Sequence, residues 1–265
     1  VILILLRGTE LSRKAASRYL IVHIVGGLVL LAGIMLHIHQ TGSTSFVGFS
    51  VQNLSTWLML IGVLVNAAAI PFSSWIPDAY PESTVMGGVI LSAYTSKTAV
   101  YALLRGFAGW DILIWVGLGM AIYGIVYALM ENDIRRILAY SIVNQVGFMV
   151  CAAGIGTPLA IAGAAAHAFC HIVYKSVLMM SAGAVIDRTG KSKCTELGGL
   201  YQTMPLTCIF GIIGALTISA VPLTSGYISK TIIIKAAAAQ HLFYPWFILK
   251  LASACSILYV GLNFI

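Results

Sequence analysis

Charge is what this 265-residue sequence has least of, at 9% Asp, Glu, Lys and Arg, against about 25% in soluble domains. That scarcity excludes an ordinary soluble domain. With 60% apolar residues, too little polar surface would remain to meet water. Blocks of like charge are also missing. The formal +7 comes from residues scattered mainly in short loops, so it carries no nucleic-acid signal. Cysteine pairs are absent too: Cys151, Cys170, Cys194, Cys208 and Cys255 lie apart with no C-x-x-C, and most sit in apolar runs as small hydrophobes. There is no phosphate loop and no nucleophile triad. His167 and His171 stand four apart, but no carboxylate or thiol pairs with them to complete a metal site. The chain therefore offers no catalytic residue, no metal site and no cofactor site of its own, and reads as a transporter subunit more readily than as an enzyme. No signal peptide is visible. Val1–Leu6 reads as the end of a spanning helix, and the run from Tyr259 stops at Ile265 inside an apolar segment, so an incomplete protein is expected.

What is present is apolar runs, with a mean hydropathy of +0.97. Runs of about 20 residues span a bilayer as helix. After the stub and a basic loop from Arg7 to Arg18, eight spans are expected. They are Tyr19–His39, Thr56–Trp75, Thr84–Arg105, Asp111–Met130, Arg136–Gly154, Pro158–Ile186, a run from Thr203 broken at Pro222, and Phe243–Ile265. The fold class is an all-α polytopic membrane bundle with two broken helices, because Pro71 and Pro222 each remove a helical hydrogen bond. The stretch Ala69-Ile-Pro-Phe-Ser-Ser74 echoes Ala220-Val-Pro-Leu-Thr-Ser225, 151 residues on. Alternating the loops places nine Lys and Arg on one side and two on the other, so the first side is read as cytoplasmic. The two breaks then run in opposite directions, the mark of inverted repeats: residues 1–106 a partial first repeat, and 107–265 a second, in one membrane domain.

The central helix of this reading is Pro158–Ile186, which carries His167, His171 and Lys175 at i, i+4 and i+8, one stripe of a helix with 3.6 residues per turn. A lysine at membrane depth costs roughly 2.5–3.5 kcal/mol on insertion scales, and histidine changes charge near physiological pH. The stripe reads as stations for a proton. Lys97, midway through its span, and Lys230, just past the second break, join it, since broken helices are tolerated only inside protein or beside a water-filled cavity. His23 stands alone early in its span and reads as structural; His37, His39 and His241 read as interfacial. Asp78 and Glu82, after the first break, either form a proton entrance or cap the turn. Glu131, Asp133, Arg135 and Arg136 form a mixed-charge interface from which Arg136 is able to reach inward.

At these residues the chain resembles the antiporter-like proton-translocating subunits of Mrp-type cation/proton antiporters and of the membrane arm of respiratory complex I. The resemblance rests on Pro71-Phe-Ser-Ser-Trp75-Ile-Pro77-Asp78-Ala79, on Lys97 with Tyr101 and Arg105, and on Asp133-Ile-Arg-Arg-Ile-Leu-Ala-Tyr140-Ser141 with Gln145-Val-Gly147. The His167/His171/Lys175 ladder and Ser225-Gly226-Tyr-Ile-Ser-Lys230 complete it. The variant looks closest to the D-type Mrp subunit. The resemblance implies about fourteen helices in the whole protein and two inverted five-helix repeats. It makes Lys97 a linking lysine, His171 and Lys175 a central relay, and Lys230 the lysine of the exit half. One departure stands out: the family's lysine five residues before the first proline is Asn66 here, which takes no proton, and its usual glutamate partner would lie upstream of Val1.

The resulting expectation is a proton-translocating subunit of a multisubunit Na⁺ (or K⁺)/proton antiporter. It would sit in the inner (plasma) membrane among other membrane subunits, with lipid around it and no nucleic-acid partner. One alternative is a pump subunit of complex I, an NADH:quinone oxidoreductase, or of a membrane hydrogenase, with the redox site on a partner. A largely structural subunit is another, which Asn66 favours and the three buried lysines oppose.

Overall fold

The computed structural model describes residues 1–264. Twelve α-helices follow one another, with no named strand among the described residues. The stub α1 is Ile2–Leu5, and α2 is Glu10–Thr41. The first broken unit is α3 (Leu54–Asn66), a 3-10 turn at Phe72–Ser74, and α4 (Trp75–Ala79). Then come α5 (Val85–Gly106), α6 (Ile112–Met130), α7 (Ile134–Ile155) and α8 (Pro158–Thr189). A short α9 (Leu200–Thr203) precedes the second broken unit, α10 (Pro205–Ile218) and α11 (Ser225–Ala239), and α12 is Phe243–Phe264. Counting each broken unit once, eight membrane-length units follow the stub. The expected last span ran to Ile265, which lies outside the described residues.

Among the described residues, four helices, α2, α6, α7 and α8, are each long and apolar enough to cross a bilayer; α3 and α10 are shorter apolar helices, and α12 is apolar over Phe243–Tyr259. The outer faces are as apolar as the core. Ile24, Leu28 and Leu31 on α2, Trp115 and Ile122 on α6, and Phe169 and Val173 on α8 are all exposed. Contiguous apolar surface on this scale belongs against lipid or other membrane helices.

Local chemistry moves two boundaries. The basic segment Arg7–Arg18 is not a loop beyond Thr9. Thr9 caps the helix by accepting from Ser12 N at 3.0 Å, and Glu10 pairs with Lys14 one turn on at 2.8 Å, so α2 begins nine residues before Tyr19. Likewise α8 continues past Ile186 to Thr189 and stops where Gly190 takes φ 70, a conformation glycine adopts without steric cost.

The bundle's axis is α7 rather than α8. Every residue of the apolar window of α7 is buried, against half of that of α8, and α7 packs against α4, α5, α6, α8, α11 and α12. Its closest neighbour is α6, along a seam of small residues. A Cβ on Gly124 would lie 2.5 Å from Asn144 N, and one on Gly147 would lie 2.6 Å from Gly117 O, so the two backbones nearly touch, as small-residue membrane interfaces allow.

Both breaks use one backbone turn. Ala68 and Ala220 are left-handed, at φ 59 and 56. The amides of Ala68 and Ala69 donate back to Val65 and Leu64, and those of Ala220 and Val221 to Thr217 and Leu216, the paired bonds of a Schellman cap. The two turns are 152 residues apart, so the backbone motif sits one residue out of register with the 151-residue sequence echo. Alanine at such a position carries a steric penalty that glycine avoids. Ala220→Gly is therefore expected to stabilise the folded chain by about 0.5–1 kcal/mol, after the extra freedom of glycine in the unfolded chain. Chemical unfolding in detergent checks this, and a lowered midpoint would show that the Ala220 methyl contributes more than its strain costs.

Candidate functional site

The α8 ladder begins in a well-capped helix, with Thr157 accepting from Ala160 N at 3.2 Å and Pro158 in the first turn. That start points one stripe at the axis helix: His167, His171 and Lys175 are all 0% exposed.

His167 is held from both sides. Its Nδ1 lies 2.9 Å from Ser229 Oγ on α11, and its Nε2 lies 3.2 Å from Gln145 Oε1 on α7. The Gln145 amide is oriented by donating to Asn144 Oδ1 at 2.6 Å, and Asn144 donates to Ala121 O at 2.8 Å. Its carbonyl also accepts from Tyr174 at 3.3 Å. That carbonyl requires a donor at Nε2, so neutral His167 accepts at Nδ1 from the Ser229 hydroxyl. When His167 is charged, Nδ1 donates instead, and the Ser229 hydroxyl turns to donate to Ser225 O, 3.0 Å away. Rotating one hydroxyl lets the site hold either protonation state.

His171 differs: both ring nitrogens are buried without a hydrogen-bond partner among the described residues. Its ring lies 6.2 Å from that of His167 and 5.2 Å from that of Tyr174. Leaving such a group unpaired costs about 1–3 kcal/mol.

The three lysines rest on neutral oxygens. Lys175 Nζ donates to Ser141 Oγ on α7, which itself donates to Leu138 O at 2.8 Å. Lys97 Nζ donates to Ser92 O at 2.6 Å and to Ser96 Oγ at 3.3 Å within α5. Lys230 Nζ donates to Ile218 O at 2.7 Å, the last carbonyl of α10. It reaches Ser256 Oγ on α12 at 3.5 Å and lies 5.3 Å from the centre of the Phe148 ring. The second break thus leaves a carbonyl for a lysine. At the first break the Trp75 indole, a group that cannot titrate, donates to Val65 O at 3.1 Å, a carbonyl that also accepts from the Ala68 amide.

No carboxylate touches this line among the described residues. The ion pairs lie elsewhere: Arg7–Glu82, Glu10–Lys14, Arg18–Asp78, Glu131–Arg136 and Lys193–Glu196. Asp78 and Glu82 are therefore bound to Arg18 at 3.0 Å and Arg7 at 3.1 Å, away from the lysines. Arg136 is exposed and paired with Glu131 at 2.9 Å; the arginine that turns inward is Arg135, donating to Pro81 O and Ser83 O at 2.9 Å each. Asn66 donates to Gly62 O in its own helix at 3.0 Å. A cavity of about 260 Å³ lined by Ser181, Val185, Tyr201 and Thr207 is bordered by none of the five ladder and lysine side chains.

Sequence reasoning assigned no role to Ser141, Gln145, Tyr174, Ser229 or Ser256. The available signal was polar side chains inside apolar runs: Ser141 and Gln145 stand four apart on α7, and Ser229 directly precedes Lys230.

Residues 1–256 match the family model described as "NADH:quinone oxidoreductase/Mrp antiporter, TM". The chain belongs to this family. It is similar to the D-type subunit of the Na⁺/H⁺ antiporter of Alkalihalophilus pseudofirmus, at 29% identity over 256 residues, covering 89% of the chain and 52% of that protein. It is also similar to hydrogenase-4 component B of Escherichia coli, at 28% identity, covering 86% of the chain and 38% of that protein. Its fold is that of a chain in the Mrp complex from Dietzia sp. DQ12-45-1b, with a TM-score of 0.91 and 23% identity, covering 96% of this chain and 51% of that one. The chain spans about half, or less, of the length of these relatives. Family membership makes it a membrane protein related to subunits of multisubunit complexes.

Proposed function

We propose that this chain carries protons along Lys97, His167, His171, Lys175 and Lys230, as the conducting part of a subunit of an Mrp-type Na⁺ (or K⁺)/proton antiporter. The observation that carries the reading is the setting of the buried lysines, each on a hydroxyl or a backbone carbonyl with no counter-charge among the described residues. A buried ammonium without a carboxylate is costly, so each lysine is free to give up its proton. Two like charges about 10 Å apart repel by ~1.7 kcal/mol at an effective dielectric of about 20, enough to change occupancy more than tenfold. Loading one station therefore empties the next. On this reading residues 1–106 and 107–265 are inverted repeats, the basic loops face the cytoplasm, and other membrane subunits complete the machine.

A second reading, redox-driven pumping, is favoured by the similarity to hydrogenase-4 component B. Inverted vesicles holding the intact native complex separate the two. Respiration on a substrate that bypasses complex I acidifies the interior, and Na⁺ or K⁺ is then added. Dissipation of the gradient that requires this subunit is the result expected of the antiporter. Inertness toward the cation, with acidification that depends on the subunit and is driven by NADH or another reductant, would assign it to a redox pump. Neither response would return it to a structural role.

A further inference from the structure

The first break shows no titratable side chain on its carbonyls among the described residues: Val65 O accepts from the Trp75 indole beside the Ala68 amide, and the Asn66 amide donates within α3. A histidine nevertheless stands beside it. The ring of His23, on α2, meets that of Trp75 edge-on at 4.6 Å. Gly26, three residues further along α2, comes so close to α3 that a Cβ there would lie 2.8 Å from Val65 Cγ1. Val65 is the residue before Asn66.

His23 is not locked as an ordinary structural histidine would be. Its Nδ1 lies 2.9 Å from Tyr19 O, the carbonyl one turn back, so in the neutral ring Nδ1 carries the hydrogen and donates. Its Nε2 is left as the acceptor, buried and with no partner among the described residues. The ring stacks on Tyr19 at 4.0 Å. The hydroxyls of Tyr19 and Tyr80 both face Thr95 on α5, the helix that also carries Lys97. On the other side, one to two turns toward the start of α2, Arg18 and the partly exposed Asp78 form their ion pair at 3.0 Å. The groups that meet His23 are thus Tyr19 on its own helix and Trp75 at the start of α4, with the amino group of Val1 acting from a distance.

We propose that His23 is the proton-binding station of the first half, taking the place left by Asn66. It receives a proton at Nε2 from the Asp78 side and passes one on past Tyr19 and Thr95 to Lys97. The balance is one proton bound at Nε2 and one released, with no bond other than N–H and O–H changed. This rests on the proton-carrying reading above.

The test uses the intact complex in inverted vesicles with three forms of the subunit: His23→Gln, His23→Gln with Asn66→Lys, and Lys175→Ala. Glutamine keeps a donor for Tyr19 O and similar bulk but binds no proton. His23→Gln is expected to assemble normally and lose at least tenfold in the cation-driven rate. Adding Asn66→Lys is expected to restore much of that rate, because a titratable group returns one helix away. Transport unchanged in His23→Gln but abolished in Lys175→Ala overturns the inference and leaves the proton-carrying reading standing. Loss in His23→Gln without rescue by Asn66→Lys also overturns it, assigning His23 to packing of the break. Transport unchanged in both His23→Gln and Lys175→Ala overturns the reading on which it rests.

Discussion

Lys175→Met is expected to abolish cation-driven proton transport, down to the background of vesicles without the subunit, while the complex assembles as well as before or better. The two effects have opposite signs for one reason. Burying an ammonium at membrane depth costs roughly 2.5–3.5 kcal/mol on insertion scales, and methionine of similar length removes that cost. The substitution orphans nothing, since Ser141 keeps its bond to Leu138 O. What disappears is the group that, on the proposed route, accepts a proton beyond His171. The same change at Lys230 is less clean, because Ile218 O would lose its donor and an unsatisfied carbonyl costs about 1–3 kcal/mol. Assembly by gel filtration and transport by a pH-sensitive dye check the pair. Near-normal transport in an assembled Lys175→Met complex would remove Lys175 from the route.

Gly124→Val carries the largest expected structural effect. Even the first added carbon would lie 2.5 Å from Asn144 N and 2.8 Å from Asn144 Cα. Those are backbone atoms of a fully buried helix, so no side chain can turn aside. Overpacking a core costs typically 1–3 kcal/mol, and here α6 must move off α7 as a body. Asn144 holds Gln145, and Gln145 holds His167, so the damage reaches the ladder. The expected outcome is a sharply reduced yield of assembled complex, with any recovered complex impaired in transport. Gly119→Val is the control: a Cβ there meets only Ile70 Cδ1 at 3.8 Å, and near-wild-type yield is expected. Equal yields for the two variants would show that α6 and α7 are not packed as described.

Much of this architecture was legible in the residues, for a simple reason. Lipid demands long apolar runs, so spans announce themselves, and a lysine or histidine inside one stands out against its neighbours. Pro71 and Pro222 marked both breaks. The turn that makes each break was not legible, because its left-handed residue is alanine, at Ala68 and Ala220, where glycine would have flagged it. Nor was the bundle's axis. In a membrane both lipid-facing and core-facing surfaces are apolar, so hydropathy does not separate the fully enclosed α7 from the half-enclosed α8. Ion pairs were invisible for another reason: Arg18 and Asp78 are 60 residues apart in the chain, and Arg7 and Glu82 are 75 apart. Only the fold brings them together and so takes Asp78 and Glu82 off the lysine line. The oxygens that receive the lysines, at Ser92, Ser141 and Ile218, follow from helix packing that no spacing rule contains.

The enclosure of α7 bears on how the chain is made. A helix enclosed along its whole apolar window, with Asn144 and Gln145 in its middle, gains from entering the bilayer beside a partner. The turn before it is only Glu131–Asp133, between Met130 and Ile134, and its first partner, α6, is among the chain's strongly apolar helices. The expected product of synthesis is therefore an α6–α7 hairpin in which the more apolar helix favours entry of the other, and the glycine seam between them needs no contact from α8.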